Sequence, residues 1–277
     1  MSFAVVARKD FEDAARSKML WAITTLFVLA TAGGMYAISS LNDDFTAKQT
    51  VGFLSSPATL IVPLAALVIA YLSIAGERES GSIKLLLGLP HTRRDVVLGK
   101  LIGRAGVVAV ATVIAFIAGA IVLIVQYGSF PVTDFLVQGV VTLLFGLVFV
   151  GIAVGFSSMT ATRSRAMAGA IGLYFLFQLV WNVVPMGAYY LLEGGFPSPM
   201  GKLPAWYFLL NLLNPVNAYA IVAQFLTNPS SQNMYQTLVA GDAPFYLDGW
   251  FALVILGAWL VVPLAIGYQS FKRADLG

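Results

Sequence analysis

Apolar residues in this chain come in six long runs, separated by short stretches that carry nearly all of its charge. The runs cover roughly 19–39, 53–75, 101–127, 135–159, 166–191 and 250–268. A bilayer core about 30 Å thick takes roughly 20 mostly apolar residues per helix, and each run meets that length. None keeps a strict period of two, which argues against the strands of a membrane barrel. The pattern predicts an all-α integral membrane protein with six transmembrane helices in a single domain over 1–277. Three further pieces attach to these helices: an N-terminal helix over 1–18, a loop over 76–95, and an interrupted segment over 192–249.

The charges between the runs orient the chain. Arg8, Lys9, Arg16 and Lys18 precede the first run, and Arg78, Lys84, Arg93, Arg94, Lys100 and Arg104 lie between or just inside the second and third. Arg163 and Arg165 join the fourth and fifth, Lys272 and Arg273 follow the sixth, and the opposite side keeps only Lys48 and Lys202. Basic segments stay on the cytoplasmic side, so both termini and His91 are expected in the cytoplasm of a plasma-membrane protein, with Asp134 and Asp242 outside. The stretch 203–227 is apolar enough for a seventh span. Pro215 with Asn211, Asn214 and Asn217 interrupts it, and a seventh span would carry Lys272 and Arg273 outside. Two short helices at the outer interface are expected instead.

Ala30-Thr31-Ala32 has the form of a signal-peptidase site, but acidic residues precede it and the apolar run continues to Ile38. A retained helix is the better reading. Ahead of it Phe3, Ala7, Phe11, Ala14 and Ala15 recur at helical spacing with seven charged residues on the other faces, the pattern of a helix lying in the membrane surface.

Composition narrows the chemistry. Charged residues are 10% of the chain and apolar residues 59%, against roughly 25% charged in soluble domains. With no cysteine and one histidine, thiol nucleophiles, cysteine-ligated clusters and multi-histidine metal sites are excluded. The net charge of +3 follows from membrane orientation and implies no nucleic acid. Ser157, Ser158 and Thr160 have no nearby histidine or carboxylate in sequence and read as helix-end polar residues rather than an enzyme site. Gly151 with Gly155, and Ala168 with Gly172, form small faces for close helix packing.

The loop over 76–95 is the most informative stretch. Ser80 or Ser82 can cap a short helix, Ile83, Leu86 and Leu87 share one face, and Gly88 followed by Pro90 closes it. This face is too short to span a membrane and should pack on the helix ends or on a partner. Glu77, Glu79, Gly81-Ser82-Ile83, Leu85-Leu86-Leu87, Pro90, Arg93 and Gly99-Lys100 then stand in the order found between the second and third spans of type-2 ABC exporter permeases. The chain resembles that family over nearly its whole length. Within the family it is most similar to permeases of the NosY type, which serve nitrous oxide reductase maturation. That narrower likeness rests on Ser56-Pro57-Ala58-Thr59, the 76–87 run, and Leu212-Leu213-Asn214-Pro215 with Tyr219.

The resemblance implies a homodimeric permease that acts with two ATPase subunits and moves a substrate outward. Glu77, Glu79, Gly81, Ser82, Ile83, Leu85, Leu86, Leu87, Arg93 and Arg94 would form the ATPase-docking coupling helix and its rim. It also implies that the helix over 1–18 is the family's elbow. ATP and Mg would be bound by the partner and no cofactor by this chain, which lacks a G-x-x-x-x-G-K-[ST] loop. A sulfur- or copper-related maturation factor is the substrate a NosY-like role implies, with an extracytoplasmic accessory protein as a further partner. A thioether pair, Met200 and Met234, could suit copper(I), although packing is the simpler reading; Trp206, Tyr207 and Tyr246 fit a membrane interface.

The alternative is an ion-coupled secondary transporter, which ordinarily keeps ionisable groups inside the membrane. Here no Asp or Glu falls inside a run, and Arg104 is near enough to an end to snorkel. Gln178 and Asn182 are the conspicuous mid-span polar residues, read as interhelical hydrogen-bond partners ahead of a substrate pathway.

Overall fold

A computed structural model describes residues 3–41, 44–88, 92–198, 201–229 and 231–275. Among these residues the chain is almost entirely helical, without strands and with one isolated bridge, Leu203 to Val239. In chain order the helices are α1 (Phe3–Ala15), α2 (Lys18–Leu41), α3 (Ala47–Glu79), α4 (Ser82–Gly88), α5 (Arg93–Tyr127) and α6 (Val132–Met159). They continue with α7 (Arg163–Glu193), α8 (Ala205–Leu212), α9 (Pro215–Thr227), α10 (Met234–Leu238) and α11 (Gly249–Arg273). Among the described residues, α2, α3, α5, α6, α7 and α11 are long and apolar enough to cross a membrane, and they coincide with the six apolar runs.

The helices outrun the apolar stretches because polar residues at their ends satisfy the terminal backbone groups. The helix α5 starts eight residues early, at a capping box. Thr92 Oγ1 accepts from Asp95 N at 3.1 Å, while Thr92 N donates to Asp95 Oδ2 at 2.9 Å. It stops at Gly128, whose φ of 59° puts it in the left-handed region. Thr46 and Gln49 form a second capping box at the start of α3. That helix is interrupted by a turn at Leu54 and another over 71–74. In α2 a π turn, Leu29–Gly33, takes in Ala30-Thr31-Ala32 and the helix continues past it.

Contacts divide the chain into two compact units, 1–171 with 259–277, and 172–258. In the first, α6 packs on α3 and α5, and α1 lies along α5. Phe145 and Phe149 fill its centre with ring centroids 5.1 Å apart. Gly151 faces the side chain and carbonyl of Leu260 on α11, and Gly155 faces the main chain of α11 at Pro263. The second small face expected, Ala168 with Gly172, does not pack in the same way. Ala168 is exposed and a Cβ on Gly172 would meet no atom within 4 Å, whereas neighbouring Gly169 meets Phe156. One helical position separates the small residue that packs from the one that does not.

In the second unit, α8 and α9 meet at a bend of 101°. The segment is broken where Pro215 and the asparagines interrupt it, in two short helices. Asn214, 1% exposed, makes the corner: its Oδ1 accepts from Val216 N at 2.9 Å and its Nδ2 donates to Phe177 O at 2.8 Å. Phe177 sits in a π turn of α7, Leu176–Val180. Such a turn displaces a main-chain carbonyl from the regular ladder, and the asparagine supplies a donor to it.

Candidate functional site

The 76–95 segment is built from the last turn of α3, a glycine corner and α4. Gly81 has φ 74°, a conformation that favours glycine, and stands directly before α4. Ser80 Oγ accepts from Ser82 N, the first N–H of α4, at 3.5 Å, the two serine oxygens are 2.9 Å apart, and Ser80 Oγ donates to Glu77 O at 3.3 Å. Pro90 and His91 lie outside the described residues.

The face of Ile83, Leu86 and Leu87, expected to pack on the helix ends or on a partner, is divided between the two. Ile83 is 1% exposed and anchors the helix inward; Leu85 is 78% exposed, with Leu86 and Leu87 partly buried beside it. Helical spacing puts Ile83 with Leu86 and Leu87 on one stripe, but only the first residue of a short amphipathic helix reaches the body of the unit. The free apolar surface is thus centred on Leu85.

The expected rim charges are largely engaged within the chain. Glu77 Oε1 pairs with Lys100 Nζ, and the Glu79 carboxylate accepts from the backbone N–H of Arg163. Arg78 Nη1 donates to Thr160 O at 2.8 Å, and Ser157 Oγ accepts from Ile74 N and Ala75 N at 3.1 and 3.0 Å. The polar end of α6 thereby secures the end of α3. Arg93 donates to the carbonyls of Phe271, Lys272 and Ala274, with its guanidinium 5.3 Å from the Phe271 ring centroid. It caps the C-terminus of α11, where exposed carbonyls favour a cation. Lys84 and Arg94 are exposed.

Behind this segment lies a cluster that the sequence pattern did not reveal. Asp10, expected on a charged outer face of α1, is 3% exposed and accepts from Lys100 Nζ at 2.8 Å, Arg104 Nη2 at 3.0 Å and Arg104 Nε at 2.7 Å. Arg104 therefore does not snorkel; its Nη1 also donates to Ile69 O at 2.8 Å. Two acids and two bases neutralise one another, the condition under which such charges can be buried. A signal was present: Asp10 shares a face with Ala7 and Ala14, while Lys100 and Arg104 alternate with Gly99 and Gly103 on α5.

In the second unit, Gln178 lies in the π turn and Asn182 Nδ2 donates to Gln178 O at 2.9 Å, a bond within α7 rather than between helices. Asn182 also lines a cavity of about 360 Å³ with Tyr207, Asn211, Asn217, Met234 and Tyr235. Burial, reinforced by neighbouring Tyr207, holds the Tyr235 phenol above its ordinary pKa, so this wall stays neutral. Met200 lies outside the described residues. Among the described residues no group of three or more His, Cys, Asp or Glu is placed to hold a metal ion.

Among the described residues, six helices long and apolar enough to cross a membrane define a multi-pass membrane protein. The chain belongs to the ABC-2 transporter family, whose model, described as "ABC-2 family transporter protein", matches residues 4–276. It is 32% identical to the "Probable ABC transporter permease protein NosY" of Pseudomonas aeruginosa, over 98% of each chain. It is 34% identical to the protein of the same name from Stutzerimonas stutzeri, over 97% of each. A more distant relative is the "Probable multidrug ABC transporter permease YbhR" of Escherichia coli K12, 26% identical over 60% of this chain and 40% of its own.

Proposed function

We propose that this chain is the membrane subunit of an ATP-driven exporter of the NosY type, working as a homodimer with two ATPase subunits docked on α4. The observation that carries the reading is the exposed Leu85, with Leu86 and Leu87 partly buried beside it, on a short helix whose other contacts are internal. An apolar residue so exposed on a helix anchored by Ile83 suits a partner's groove, with Lys84 and Arg94 at the rim setting orientation. ATP and Mg belong to the partner. The plasma membrane, cytoplasmic termini and an extracytoplasmic accessory protein complete the assembly. A sulfur- or copper-related maturation factor is the proposed substrate, by likeness to the NosY relatives. No specific observation favours ion-coupled transport: the buried carboxylate of Asp10 is already matched by Lys100 and Arg104.

The test is co-purification of the ATPase with tagged permease in detergent. Leu85→Asp should release the ATPase, because a carboxylate in a dry apolar groove has no partner, and Leu86→Asp should weaken it similarly. Lys84→Ala should be mild. Wild-type ATPase stoichiometry in folded Leu85→Asp and Leu86→Asp proteins would remove α4 as the docking site.

A further inference from the structure

The buried cluster behind α4 joins three helices, α1, α3 and α5. Asp10 brings α1, Lys100 and Arg104 bring α5, and α3 enters twice, at Ile69 through its carbonyl and at Glu77 through its carboxylate. Those two points flank the turn over 71–74, where α3 changes course toward α4. Glu77 is held through one oxygen: Oε1 takes Lys100, while Oε2 is buried with no hydrogen-bond partner among the described residues. The place of Glu77 therefore follows Lys100, and that of Lys100 follows Asp10.

Close packing lets α1 lie along α5. A Cβ on Gly99 would stand 2.6 Å from Val6 Cβ, and one on Gly103 would stand 2.8 Å from Ala7 O. The glycines let the α1 backbone approach closely enough for Asp10 to reach both cations. A buried charge network contributes little net stability against an apolar replacement, but it strongly penalises any geometry that separates its members. Such a link transmits displacement: if α4 and the end of α3 move, Glu77 draws on Lys100, and α1 must move with them or leave buried charges unpaired.

We propose that Asp10 is a positioning residue for energy coupling, which fixes Lys100 and Arg104 so that α1 moves together with the 69–88 stretch. The inference rests on the docking of an ATPase at α4. Its test uses the cysteine-free chain in complex with its ATPase subunits, carrying a single bimane label at Lys84→Cys or at Arg8→Cys, both exposed positions. ATP with vanadate should change the emission at both sites. In Asp10→Asn the change at position 84 should persist while that at position 8 is lost, and Asp10→Glu should restore it. Glu77→Gln removes the charge from the part of the link beyond the 71–74 turn while leaving Asp10 with both cations, and should likewise separate the two signals. A role confined to stability would lower yield or unfolding temperature without separating them. If position 8 still responds in both Asp10→Asn and Glu77→Gln, the proposal is overturned. A position 84 that stays silent without either substitution, with ATPase bound, sinks the docking reading instead.

Discussion

The contact between α6 and α11 gives a sharp test of how the first unit is held together. A Cβ on Gly155 would lie 2.5 Å from the Pro263 carbonyl oxygen, 2.6 Å from its carbon and 3.0 Å from Leu264 N. All three are main-chain atoms, and Gly267 returns the contact onto the Gly155 backbone. No side-chain rotation can relieve Gly155→Ala, so α11 must retreat by about 1 Å to restore ordinary van der Waals distance. A gap of that size forfeits roughly a quarter to a half of each dispersion contact it opens. In lipid such packing is a main force between helices, since tails and apolar side chains are equally hydrophobic. Overpacking of this kind costs about 1–3 kcal/mol, and the backbone nature of the clash places Gly155→Ala near the top, about 2–3 kcal/mol. That is roughly a 30- to 150-fold shift in the unfolding equilibrium. Gly172→Ala, with nothing within 4 Å of its Cβ, should instead gain about 0.5–1 kcal/mol from helix propensity. Reversible unfolding in mixed micelles with rising dodecyl sulfate, followed by helical circular dichroism, measures both variants. Gly155→Ala within ~0.5 kcal/mol of Gly172→Ala would refute the argument.

Two further outcomes concern the second unit. Asn214→Ala removes the cap of α9 and the donor to Phe177 O together, which should destabilise that unit by about 2–3 kcal/mol and speed hydrogen exchange around 176–180 and 214–218; unchanged exchange there would count against the clasp. The raised pKa of Tyr235 means that the folded state keeps its proton above the ordinary tyrosine value of about 10. The stabilisation is complete below that value and declines as pH rises through it toward the folded pKa, so alkaline unfolding should be delayed in Tyr235→Phe. Ultraviolet titration should show a phenol that ionises only on unfolding; a phenol at 235 that titrates normally in the folded protein would contradict this.

Much of the architecture is set by local rules. A run of some 20 apolar residues has one stable backbone solution in hydrocarbon, so the six long helices follow from composition and length alone. The 203–227 segment breaks where the sequence shows it must, since proline removes a donor and Asn214 can cap the helix that follows. The order of acidic, glycine, leucine and basic residues over 77–100 was likewise readable as a family pattern, and the match over residues 4–276 agrees with it.

Tertiary structure decided what those residues do. Charge in a sequence is assigned to water by default, and only the approach of α1 to Gly99 and Gly103 reveals that Asp10 faces Lys100 and Arg104, some 90 residues away. Pairing is not a property of either residue; it depends on two helices lying within a few ångströms. The same holds for Arg93, Glu77 and Glu79, which one sequence leaves free for a partner and the fold spends on the ends of α11, α5 and α7. Helical periodicity grouped Ile83 with Leu86 and Leu87, but the inward direction of a seven-residue helix is set by what lies beneath it. That is why Ile83 is buried and Leu85 is left exposed.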